Sequence, residues 1–331
     1  MARRLVLAVV AVLFGCAACS GGTGSGPPRS RGWQSGAWTG GAPAGTVRIQ
    51  AFGEWRGAPA DVVTTYPAYK TWDELRGSDY DVHIFDGFQG RLAYGLPLLP
   101  HGETASLAGV ALGLHDDVWL TVADTLLRHS RGDSYVRVGL EANGTWFPWG
   151  ATVTTAADFR AAYRHVVTVM RTRAPNLIFD FDLTCGRGLE GSSDRMASLT
   201  DLYPGDDVVD VVGCDHYDNY STKARAPQEW ARASAPADGP GLVDVAKFAR
   251  DHRKGFSVPE WGLASKSNAG LGDNPYFIKA IYSFFKANAD VLLFENYFSE
   301  PEASLGSSLW DPDQNPRSAT QYLQLWRHTT A

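Results

Sequence analysis

The sequence predicts an α/β fold, a single (β/α)8 TIM barrel, from three observations: eight apolar runs bounded by turn residues, amphipathic helical stripes between them, and no glycine-rich phosphate turn of the doubly wound kind. The runs fall at Val47–Trp55, Tyr80–Phe88, Val118–Asp124, Tyr135–Ala142, Leu177–Thr184, Val208–Tyr217, Phe256–Trp261 and Val291–Phe298. Several are near-continuous in Val, Ile, Leu and Phe, as suits parallel strands buried on both faces. Between them, Phe159, Tyr163, Val166, Val167 and Met170 recur at helical spacing until Ala174-Pro175 ends the pattern. Leu242, Val245, Ala246 and Ala249 form a second stripe, and Asn274-Pro275 reads as N-cap and first-turn proline of a third helix.

Residues 33–331 are expected to form this one barrel domain, since about 300 residues with 44% hydrophobic and 12% aromatic content can bury a large core. Residues 20–32, rich in Gly, Ser and Pro, cannot, and read as a flexible tether. Residues 1–19 read as an export signal: Arg3-Arg4 precede an apolar run to Phe14 that is too short to span a membrane. Small residues stand just before Cys16 and Cys19, so either is a candidate for lipidation and a membrane anchor; a cleaved, unlipidated signal is the alternative. The expected location is the bacterial cell surface or the medium. A net charge of −6 without a basic run argues against nucleic acid as a partner. Cys185 and Cys214 remain in the mature part, and a disulfide or two buried free thiols both fit an oxidising compartment.

In such a barrel the chemistry lies where strands run out at their C-terminal ends. The fourth strand ends in Arg137-Val-Gly-Leu140-Glu141-Ala-Asn143-Gly144-Thr-Trp146-Phe147-Pro148-Trp149, and the seventh in Val258-Pro259-Glu260-Trp261-Gly262. One glutamate at a strand end is commonly an ion-pair partner or a cap. Two facing each other across a barrel mouth form the pair that glycoside hydrolysis needs, one to protonate the leaving oxygen and one to attack or stabilise the sugar centre.

These segments resemble glycoside hydrolase family 26. Arg137, Glu141, Asn143, Gly144, Trp146, Phe147, Pro148 and Trp149 are similar to its fourth-strand motif, and Val258 to Gly262 to its seventh. Tyr203 to Asp207, running into Asp215-His216-Tyr217, resembles its sixth-strand segment. The resemblance implies a retaining hydrolase of a β-linked polysaccharide such as β-mannan or mixed-linkage β-glucan, with Glu141 as acid/base, Glu260 as nucleophile and Tyr217 bonded to the nucleophile. Arg137 is expected to hold Glu260 ionised. Trp146, Trp149, Trp261 and, on strand eight, Tyr297 are candidate sugar platforms. Leu140 stands where mannan-cleaving members usually carry a histidine, which puts β-mannan in question. Rival readings are a barrel that only binds polysaccharide, and a hydrolase that trims the organism's own exopolysaccharide. No metal or other cofactor is expected: His115-Asp116-Asp117 and Asp215-His216-Tyr217-Asp218 offer ligand types without a convincing spacing.

If strands five and six are neighbours, Cys185 and Cys214 lie about one strand spacing apart, within disulfide reach. The alternation of side chains decides whether both thiols point the same way.

Overall fold

The computed structural model describes residues 32–40 and 45–327. The export signal, Cys16, Cys19 and all of the tether except Gly32 lie outside them. Eight parallel strands close into a barrel in chain order: β1 (Gln34–Trp38), β2 (Val62–Thr65), β3 (Arg91–Leu96), β4 (Tyr135–Val138), β5 (Ile178–Thr184), β6 (Val211–Tyr217), β7 (Gly255–Gly262) and β8 (Leu292–Phe298), which pairs back onto β1. Around it run α1 (Gly45–Arg56), α2 (Trp72–Arg76), α3 (Asp79–His83), α4 (Leu107–Ala111), α5 (Asp116–Arg128), α6 (Ala156–Arg173), α7 (Ala197–Thr200), α8 (Pro227–Ala233), α9 (Leu242–Asp251), α10 (Pro275–Ala287) and α11 (Pro316–Trp326). None of these helices is long and apolar enough to cross a membrane.

The last five strands lie where the apolar runs place them, and the first three do not. Val47–Trp55 is inside α1, where Ile49, Phe52, Gly53 and Arg56 are buried at helical spacing. Tyr80–Phe88 is α3 and the turn after it, with Val82, Phe85 and Phe88 buried three residues apart. Val118–Asp124 belongs to α5, which buries Val118, Trp119, Val122, Ala123 and Leu126. Short apolar runs do not distinguish strand from buried helix, and in all three the three-to-four-residue period prevailed. The true β1, β2 and β3 are short or mixed in composition. Three false strands replaced three missed ones, so the ordinal numbers of β4 to β8 are unaffected.

Side chains alternate between the barrel interior and the helix layer. Inside, Val62, Ala93, Tyr135, Val211 and Phe294 pack as an apolar floor, with the Tyr135 and Phe294 rings stacked 4.3 Å apart. Above the floor the filling becomes polar. The Ser257 hydroxyl donates to Asp180 Oδ2 at 2.7 Å, and Gly213 keeps that space open, since a Cβ there would sit 2.1 Å from Ser257 Oγ. Burial first, and the nearby Asp182 carboxylate second, push the Asp180 carboxyl up to about 8, so it is mostly protonated at neutral pH. The charged layer of the site rests on this neutral one.

Candidate active site

Arg137 is the hub. It sits on the inward face of β4, fully buried, and its guanidinium spends its three nitrogens on three carboxylates. Nε donates to Asp182 of β5, Nη2 to Asp215 of β6 at 2.6 Å, and Nη1 to Glu260 Oε1 of β7 at 2.8 Å. Burial opposes a bare charge on each partner, and the multiple pairing offsets that cost. Burial raises the Asp182 and Asp215 carboxyls, with Arg137 acting against it.

Glu260 is 8% exposed and accepts two further hydrogen bonds. Tyr66, one residue past β2, donates to Oε1 at 2.5 Å, and Tyr217 of β6 donates to Oε2 at 2.8 Å. Three donors thus fix the position of the carboxylate. A bulge aims it inward. Ser257 faces the interior and regular alternation would send Glu260 outward, but the β7–β8 register shifts between Val258 and Trp261. Pro259, which has no N–H to give to the ladder, lies within that irregularity.

Glu141 stands three residues beyond β4 with a left-handed backbone, φ 48°, a conformation that costs a residue other than glycine about 1 kcal/mol or more. Its surroundings hold it there: the Glu141 N–H donates to Asp182 Oδ1 at 2.6 Å, and its carbonyl accepts from the Gly144 N–H at 2.6 Å. The carboxyl accepts from Thr184 Oγ1 at 2.7 Å and from Trp146 Nε1 at 3.0 Å. Burial, and then the charge of Glu260, push it up to about 7. The two glutamates share one mouth and differ in character: one is paired with a cation, the other poised to carry a proton near neutrality.

The remaining sequence candidates divide. Trp146 is at the site, 49% exposed and touching Glu141. Asn143 does not face the mouth. It is fully buried and ties β4 to the β5 end, giving hydrogen bonds to the Thr184 and Arg187 carbonyls and accepting one from the Thr184 N–H. Trp149 is fully buried, with Nε1 on the Leu140 carbonyl, its ring stacked on Phe147 and in edge contact with Tyr69, so it offers no face to a sugar. Trp261 points into the helix layer, where Nε1 donates to Glu295 and the ring meets Phe285 and Trp326, because the bulge that turns Glu260 inward turns its neighbour out. Tyr297 also faces outward, donating to the Ser307 carbonyl at 2.5 Å. The aromatic that β8 presents to the mouth is the next residue, Phe298, stacked on Trp38 of β1 at 4.3 Å and flanked by Tyr66 and Tyr217.

Sequence reading missed Tyr66, Trp38, Phe298 and the supporting roles of Asp182, Thr184 and Asp215. The signal for Tyr66 was Val62-Val63-Thr64-Thr65, four β-branched residues before an aromatic. In the two segments that offered ligand types, Asp215 faces Arg137 while His216 stacks on Phe277 in the helix layer, and His115 stacks on Trp72. Cys185 and Cys214 are joined by a disulfide with Cα atoms 5.3 Å apart. Cys214 pairs in register with Leu183 and points away from the interior; Cys185, just past the end of β5, is free of the alternation and meets it there.

The family model described as Glycosyl hydrolase family 26 matches residues 128–246, from the end of α5 into α9 and including Arg137, Glu141 and Tyr217. The chain is 25% identical over 214 residues to Endoglucanase H of Acetivibrio thermocellus, covering 56% of this chain and 23% of that protein. It is 32% identical over 140 residues to a mannan endo-1,4-beta-mannosidase of Bifidobacterium adolescentis, covering 40% and 13%. The matched segments thus span less than a quarter of either relative. Among solved structures, a modular endo-beta-1,4-mannanase from Cellulomonas fimi superposes with a TM-score of 0.65 at 18% identity, covering 89% of this chain and 71% of that one. At that identity the match speaks for the fold alone.

Proposed function

We infer that this chain, a family 26 glycoside hydrolase by its sequence likeness and its barrel, cleaves a β-linked polysaccharide internally by double displacement, with Glu260 as nucleophile and Glu141 as acid/base. The observation that supports the reading is the contrast between the two carboxyls. Glu260 is held by a guanidinium and two tyrosine hydroxyls, while burial and Glu260 raise Glu141 to about 7. A carboxylate oxygen of Glu260 bonds to the sugar C1 as the glycosidic C–O bond breaks and Glu141 gives its proton to the leaving oxygen. Water then returns a proton to Glu141 and its hydroxyl to C1, and Glu260 leaves as the carboxylate. Trp38 and Phe298 offer a stacked aromatic wall beside the nucleophile, and Trp146 a half-exposed one beside the acid.

Glu260→Ala is expected to abolish turnover, and azide to restore part of it as a glycosyl azide of inverted configuration, because a small anion fits the vacated position. Wild-type-like turnover in that variant would remove Glu260 from the chemistry. Reducing ends released from mannan, mixed-linkage glucan, xylan and the organism's own exopolysaccharide identify the substrate. The two curated relatives act on different polysaccharides by name, and Leu140 removes a polar neighbour of the acid, so the proposal covers both β-mannan and β-glucan. A wild-type protein that binds one of these and cleaves none would be a binding barrel. Export and anchoring through Cys16 or Cys19 complete the proposal; unlabelled protein after growth on labelled lipid would count against the anchor.

A further inference from the structure

On the barrel face opposite the mouth, two histidines and an aspartate converge from two connections. His83 ends α3, Asp86 follows in the turn toward β3, and His129 closes the C-terminus of α5 before β4. Helix-to-strand connections lie at the N-terminal ends of the strands, so this cluster is remote from Glu141 and Glu260. Nδ1 of His83 lies 2.8 Å from Asp86 Oδ2, and Nδ1 of His129 lies 2.9 and 3.2 Å from the two Asp86 oxygens. One ligand atom from each residue falls within 4.8 Å of the others.

We propose that His83, Asp86 and His129 form a binding site for a first-row divalent cation of the zinc class, a clip between the ends of α3 and α5. Imidazole nitrogens with one carboxylate suit zinc, and three protein ligands leave a position for water. The second layer has the form such sites use. Nε2 of His129 is 3.0 Å from Asp79 Oδ1 and Nδ1 faces Asp86; on binding, the ion would replace the proton at Nδ1 while Nε2 keeps its proton on Asp79. Arg128 in turn binds the same Asp79 oxygen at 2.5 Å and holds it in place. A cation at the C-terminus of α5 also meets the negative end of the helix dipole. His83 is 61% exposed and can swing to close the ligand set, and the Asp86 N–H is already fixed on the His83 carbonyl at 2.8 Å.

The test is calorimetric titration of the tag-free protein with zinc chloride, beside His83→Ala. The wild type is expected to bind one zinc per chain, and zinc at about 100 times its Kd to raise Tm by roughly 5 °C. In His83→Ala, whose exposed side chain is not needed for folding, both the binding and the Tm rise are lost while zinc-free kcat is unchanged. No zinc binding by the wild type, or equal binding by His83→Ala, overturns the site. Since kcat is read separately, failure here leaves the hydrolase reading untouched.

Discussion

Arg137 Nη1 donates to Glu260 Oε1 at 2.8 Å, joining β4 to β7, three strands apart around the ring. The same guanidinium reaches β5 and β6 through Asp182 and Asp215, so one side chain cross-links four consecutive strands beneath the mouth. Position and charge of the proposed nucleophile are therefore tied to the stability of the barrel.

Arg137→Met should abolish turnover and lower the unfolding free energy by about 3–5 kcal/mol at pH 7, since it strands buried carboxylates without their cation. Burial already raises Asp182 and Asp215, and losing Arg137 raises them further. A carboxyl whose folded pKa lies above its unfolded one stabilises less as pH rises, so the deficit against wild type should shrink on going from pH 7 to pH 5. Denaturant melts at both values check this. An unchanged deficit would show that the loss is one of packing and not of charge.

The raised acid gives a signed pH prediction. As the proposed acid, Glu141 must be protonated to act on the leaving group, so kcat/KM should fall as pH rises through about 7. Thr184 Oγ1 donates to Glu141 Oε1 and favours the charged form. Thr184→Val therefore raises the pKa and moves the basic limb upward by about one pH unit, with Trp146→Phe moving it less. A limb that stays put or moves down in Thr184→Val would contradict the hydrogen bond.

How far the sequence was readable follows from local contrast. Strands β4 to β8 are apolar runs broken by turn residues, and Glu141 and Glu260 stand at two of their ends inside motifs. Gln34-Ser-Gly-Ala-Trp38 carries little apolar signal, and α1, α3 and α5 carry runs that imitate strands. Tyr66 was lost with its strand. The errors at Trp261 and Tyr297 are smaller in origin and equal in effect: with a side-chain period of two, one residue of phase exchanges interior for helix layer. At Trp261 the β7 irregularity at Pro259 introduces that phase, and nothing in the pattern of apolar residues announces it; β8 alternates regularly from Phe294 to Phe298, and there the choice of Tyr297 over Phe298 is one residue off.

The disulfide lies directly behind the acid. Cys185 follows Thr184, the donor to Glu141, and Cys214 precedes Asp215, a partner of Arg137, so the bond joins the backbone of two residues that position the site. Two residues on, Arg187 donates from Nε to the Asn143 carbonyl and lies 5.1 Å over the Trp146 ring, extending the same loop to the second donor on Glu141. With a sequence separation of 29, the cross-link is worth about 3–4 kcal/mol through the unfolded chain. Both sulfurs are buried, so reduction requires local opening and mild denaturant. The remaining ladder between β5 and β6 and the helix layer do not depend on the bond, so the reduced barrel should stay folded at 25 °C with a lower Tm. Activity should fall before the fold does, and the loss should be greatest on substrates with poor leaving groups, because those need the proton from Glu141. Two free thiols titrating in unfolded, unreduced protein that lacks Cys16 and Cys19 would show that no bond exists, and equal losses on good and poor leaving groups after reduction would show that it does not act through Glu141.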